Sequence, residues 1–180
     1  MAEDLTIVKG SREEEYFSLF PQIEGLLLGE TDPVASMANV AAALKEQFGW
    51  LWVGFYLVKG DELVLGPFQG PVACTRIRKG RGVCGAAWQE AKVMIVPDVS
   101  LFPGHIACSS NSRSEIVIPI LKGGIVTGVL DVDSAALNAF SEIDARHLQQ
   151  IIALLWQKQQ VNLLVLCRCF VRCQCPNNRL

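Results

Sequence analysis

Two runs of strand-like residues, each doubling back across a glycine-bearing turn, restrict this chain to folds built on antiparallel pairs. In the first, Trp50 to Val58 reads as a strand, Lys59-Gly60-Asp61 as a turn, and Glu62 to Leu65 as the returning strand before Gly66-Pro67. In the second, Glu115 to Leu121 passes through Lys122-Gly123-Gly124 into Ile125 to Asp133. Helical patterns bracket both hairpins. Residues 12 to 28 form an amphipathic pattern interrupted near Pro21. Asp32 caps a second helix, with Pro33 in its first turn, running through Ala35 to Phe48. A last helix starts at Ser141, where Asp144 gives a variant of the capping box, and Ile143, Leu148, Ile151, Ile152, Leu155 and Trp156 keep helical spacing. The expected class is α+β, with a mainly antiparallel central sheet of about six strands. N- and C-terminal helices should cover one face and a loop-built pocket the other.

Between the hairpins, residues 66 to 114 show only a short helical pattern after Val83 and an apolar strand around Val93 to Val96. A connection this long is usually functional or disordered, and its apolar and cysteine content argues against disorder. The 180 residues, 51% hydrophobic, suffice for one core but hardly two. One domain over residues 1–160 is expected, with 161–180 as an atypical cysteine-rich extension. A net charge of -2 offers no basic excess for phosphates, so neither nucleic acid nor an anionic membrane surface is a natural partner. The start Met1-Ala2-Glu3-Asp4 leads into no apolar signal core, and no apolar run approaches the roughly 20 residues of a membrane span. A cytoplasmic location and a small ligand are expected.

In a reducing compartment, seven cysteines point to reactive thiols rather than structural staples. Cys74, Cys84 and Cys108 lie in the body of the chain, whereas Cys167, Cys169, Cys173 and Cys175 crowd its end. The spacing of the first three fits none of the closely paired zinc patterns, and nearby His105 is a single imidazole. Cys84 falls near the start of a short helical pattern, where the backbone dipole and Arg78, Lys79 and Arg81 would favour thiolate. Each thiol alone reads as inert and buried; three in one long loop region favour redox chemistry.

Alternation in the first strand puts Trp52 and Tyr56 on one face, with Gly54 leaving a notch between them. They read either as an aromatic-walled slot or as core packing. Asp131 and Asp133 likewise share a face, roughly 7 Å apart. They read either as a solvated sheet end or as a pocket for an ammonium group, in which crowding would keep one acid protonated as a donor. Glu115, at the start of the neighbouring strand, could join them.

Several words of the sequence then combine. Gly66-Pro67-Phe68-Gln69-Gly70, Ala73-Cys74, Gly80-Arg81-Gly82-Val83-Cys84-Gly85, Pro97-Asp98-Val99, Phe102-Pro103-Gly104-His105-Ile106-Ala107-Cys108, Ser114-Glu115-Ile116-Val117 and Gly128-Val129-Leu130-Asp131-Val132-Asp133-Ser134 closely resemble the free methionine-R-sulfoxide reductases, which are single GAF domains. The resemblance runs from about residue 12 to about 158. It implies thiol-dependent reduction of free L-methionine-R-sulfoxide to L-methionine through a cysteine sulfenic acid and an intramolecular disulfide. Cys108 would attack the sulfoxide, Cys74 would be its main disulfide partner, and Cys84 would have an auxiliary or alternative role. Glu115, Asp131 and Asp133 would bind and protonate substrate beside the wall of Trp52 and Tyr56. The resemblance implies no bound cofactor or metal. Thioredoxin or a similar dithiol would supply the reducing equivalents, with NADPH upstream, and homodimerisation is left open. The rival readings are a non-enzymatic GAF sensor and a thiol-bound metal module. Val161 to Leu180 falls outside the resemblance, and its two Cys-X-Cys pairs lack histidine.

Overall fold

The computed structural model describes residues 4–104 and 110–156; Cys108, His105 and the extension 161–180 lie outside them. Helices α1 (Arg12–Leu26) and α2 (Pro33–Phe48) lead into the hairpin β1 (Trp52–Lys59) and β2 (Glu62–Gln69). Next come β3 (Arg76–Arg78), α3 (Gly82–Glu90), β4 (Met94–Val96) and a single 3-10 turn at Val99–Leu101. The second hairpin is β5 (Ser114–Lys122) and β6 (Ile125–Ser134), and the described chain closes on helix α4 (residues 142–156). The six strands form one sheet in the order β3-β2-β1-β6-β5-β4, every neighbouring pair antiparallel. The expected α+β architecture is present.

Local chemistry explains the element ends. Asp32 accepts hydrogen bonds from the Val34 and Ala35 amides at 2.7 and 3.2 Å, and Gly49 closes α2 in the left-handed conformation at φ 68°. Ser141 opens α4: its amide donates to Asp144 Oδ2 at 2.9 Å. Three expectations need correction. Helix α1 runs unbroken through Pro21, because burying Tyr16, Leu19 and Ile23 along one face outweighs a lost backbone bond. Strand β2 continues past Gly66-Pro67. The register slips there, pairing Phe68 with Gly54 but Leu65 with Tyr56, and β3 flanks β2 only at Glu62 to Val64, so Pro67 leaves no β3 partner unpaired. Strand β3 itself, Arg76-Ile77-Arg78, was too short and too charged to announce itself; Ile77 alone is buried.

Strand alternation divides the interior into two layers. Val53 and Phe55 of β1, Ile116 and Ile118 of β5, and Leu130 and Val132 of β6 pack with α1, α2 and α4. The intervening residues Trp52, Tyr56, Val117 and Val129 face the other way, onto Val83, Ala87 and Trp88 of α3. No described helix is long and apolar enough to cross a membrane.

Gly54 sits in close packing within the second layer. The rings of Trp52 and Phe68 stack at 5.4 Å, and a Cβ on Gly54 would run into both side chains. The notch expected from the sequence is therefore filled. Gly54→Ala should destabilise the protein by about 1–3 kcal/mol through overpacking, lowering the urea midpoint with little change in slope. An unchanged midpoint would show that Phe68 moves aside freely.

Candidate active site

The sheet register assembles the acids beside the aromatic pair. In β6, Asp133 lies opposite Trp52 of β1 on one side and Glu115 of β5 on the other, while Asp131 lies opposite Gly54 and Val117. All three carboxyl groups thus fall on the face that carries α3. Glu115 and Asp131 are buried and Asp133 is half-buried. The solvated-end alternative is set aside by this burial.

Helix α3 delivers Cys84 to the same place. Gly85 allows the approach, since a Cβ there would sit 2.5 Å from the Arg78 carbonyl oxygen. The Cys84 thiol donates weakly to Glu115 Oε1 at 3.9 Å. Donor atoms of Cys84, Glu115 and Asp131 all lie within 4.8 Å of one another. The Ser112 hydroxyl donates a short hydrogen bond to Asp133 Oδ1.

Burial and mutual repulsion set the proton affinities. Glu115 is pushed well above the ordinary carboxylate range, first by burial and then by the charges of Asp131 and Asp133. Asp131 is raised by burial and by Asp133. Burial pushes Asp133 up to about 6, against the opposing hydrogen bond from Ser112. Cys84 is also raised well above the usual thiol value, by burial first and by Asp131 and Glu115 next. This corrects the expectation of a thiolate. Position near a helix start and three cationic neighbours lose to a buried thiol facing carboxylates. Lys79 instead lies over the Trp88 ring, 5.3 Å from its centroid.

Trp52 and Tyr56, with ring centroids 5.9 Å apart, are almost wholly buried, so they serve as core and wall together. Their polar ends hold the segment after β2: Trp52 Nε1 donates to the Pro71 carbonyl at 3.1 Å, and the Tyr56 hydroxyl to the Cys74 carbonyl at 2.9 Å. Cys74 is half-buried at this edge. The Val99 amide donates to the Arg113 carbonyl at 3.0 Å, and the Arg113 amide to the Ser134 carbonyl at 2.8 Å. Arg113 and Ser134 thus adjoin the acids of β5 and β6, as does Ser112. Two residues in this region were not singled out from sequence. Phe68 lay in a recognisable word but stacks on Trp52 only because β2 continues, and Ser112 gave no local signal.

Over residues 30–158 the chain matches the GAF domain family, and its six-stranded sheet carrying helices agrees with that class. GAF domain-containing protein A of Dictyostelium discoideum is 68% identical over 156 residues, covering 86% of this chain and 99% of that protein. The free methionine-R-sulfoxide reductase of Escherichia coli is 44% identical over 144 residues, covering 79% and 87%. The solved free methionine-R-sulfoxide reductase from Neisseria meningitidis, in complex with its substrate, superposes with a TM-score of 0.87 at 49% identity, covering 91% and 99%. The chain belongs to the free methionine-R-sulfoxide reductases, a family of enzymes built on a GAF domain.

Proposed function

We propose that the chain reduces free L-methionine-R-sulfoxide to L-methionine, with residues 1–160 as the catalytic unit and 161–180 as an extension. The buried carboxyl cluster beside the aromatic pair carries this reading. Thiolate attack at a sulfoxide sulfur needs the oxygen protonated, and acids with raised pKa values keep a proton to give. An ionised neighbour can hold the substrate's ammonium, and the Trp52 and Tyr56 faces suit its S-methyl group.

In this mechanism Cys108 attacks, the protonated oxygen passes to its sulfur as sulfenic acid, and methionine leaves. The Cys74 thiol then condenses with the sulfenic acid, forming the S–S bond and releasing water. A dithiol such as thioredoxin reduces that disulfide and is itself oxidised, with NADPH upstream and no bound cofactor taking part in the reaction. Cys84 stays auxiliary. A cytoplasmic setting would supply that dithiol.

The test follows methionine release and NADPH oxidation with thioredoxin and its reductase. The R and S sulfoxides are offered free and within a peptide, to the full chain and to a chain ending at residue 160. Only the free R sulfoxide should be consumed, one NADPH per methionine, at rates within twofold for both chains. Equal use of peptide-bound sulfoxide would overturn the reading of the pocket. A folded but inactive shortened chain would overturn the domain assignment.

A further inference from the structure

We propose that Cys84, Glu115 and Asp131 form a binding site for a borderline-soft divalent cation of the zinc class. The site draws its ligands from three elements: a thiol from α3 and one carboxylate each from β5 and β6. Their donor atoms lie within 4.8 Å of one another. Metal–ligand bonds of zinc length would bring neighbouring donors to roughly 3.3–3.8 Å; the Cys84 sulfur and Glu115 Oε1 are already 3.9 Å apart, and no pair needs to close by more than about 1.5 Å. The second observation is Asp131: the residue is only 7% exposed, yet among the described residues its Oδ1 has no hydrogen-bond partner. Such a buried oxygen calls for an electropositive partner. Thiolate selects against magnesium and calcium, which favour sets of oxygen donors, and one sulfur with two oxygens suits zinc with water in a fourth position. Coordination displaces the proton from each ligand that carries one.

This inference does not rest on the proposed activity. Where both hold, the ion occupies the acids that would receive the substrate's ammonium, and zinc inhibits the reductase.

The experiment uses Co2+ as a spectroscopic stand-in, titrated into the full-length chain with Cys74, Cys108, Cys167, Cys169, Cys173 and Cys175 replaced by serine. Cys84 is then the only thiol. A saturable 1:1 spectrum with a thiolate-to-cobalt charge-transfer band is expected, and Zn2+ should displace it. Cys84→Ser should remove the band, and Glu115→Gln or Asp131→Asn should each weaken binding at least tenfold. If the single-thiol chain does not fold, a chain lacking only the four C-terminal thiols is titrated with the same carboxylate variants. Absence of the band in folded single-thiol protein would overturn the proposal, as would unchanged affinity in both carboxylate variants. The readout is binding, so its failure leaves the reductase reading to its own assay.

Discussion

A chain carrying Cys108→Ser should form no detectable methionine in a single turnover, a loss of at least a thousandfold, whereas Cys84→Ser should still form close to one equivalent. An ordinary cysteine near neutral pH already holds a few per cent of thiolate, but a serine hydroxyl holds essentially none. Cys84 cannot stand in, because burial and the facing carboxylates keep it a thiol. Cys74→Ser should release one methionine and leave a sulfenic acid that a dimedone-type probe traps. Combining it with Cys84→Ser guards against capture by the second thiol. Product counting and mass mapping of the labelled cysteine decide the matter. Product from Cys108→Ser with the label on Cys84 would reverse the assignment.

Glu115→Gln and Asp131→Asn should lower turnover by about a hundredfold or more while raising the melting temperature above that of the parent at pH 8. The two effects share one cause: the pocket holds acids where charge is costly. A carboxyl group whose folded pKa lies above its unfolded value, near 4, favours folding below that value. That contribution is lost as pH rises through the folded pKa, which is about 6 for Asp133 and is raised above the ordinary carboxylate value by burial and neighbouring charge for Glu115 and Asp131. An amide cannot ionise, so each variant escapes the penalty. One pKa unit corresponds to about 1.4 kcal/mol, and each kcal/mol to about 2–4 °C for a chain of this size. A gain of several degrees at pH 8 should therefore shrink toward pH 4. Thermal melts at both pH values test this. Variants less stable than the parent at pH 8, or equally shifted at both, would show that hydrogen bonding rather than charge dominates the cluster.

Strand parity explains how much of this site could be read in advance. Trp52 with Tyr56, and Asp131 with Asp133, were placed on common faces by alternation alone, and the structure keeps both pairs together. The Asp32 and Ser141 helix starts were equally legible, because a cap is a local hydrogen-bonding event. Cys84 was misjudged because its partners, Glu115 and Asp131, come from strands remote in sequence, and local cationic residues were the only visible neighbours. The course of β2 through Gly66-Pro67 depends on what flanks it, and the Ser112 contact depends on where the chain returns to the sheet. The strand order was not legible from the pattern, because β1 pairs with β6 across more than 70 residues of chain.

Strand β6 has a consequence for which length changes the fold can tolerate. Leu130 and Val132 serve the helical layer while Asp131 and Asp133 serve the pocket, on alternate positions of one strand. Inserting or deleting a single residue between Val129 and Ser134 would exchange the two sets, turning carboxylates into the helices and leucine and valine into the site. Substitutions can retune the pocket one letter at a time, but the reading parity of this strand admits only changes in steps of two or a compensating bulge. The core thereby guards the spacing of the acids, even against changes that would leave their chemistry intact.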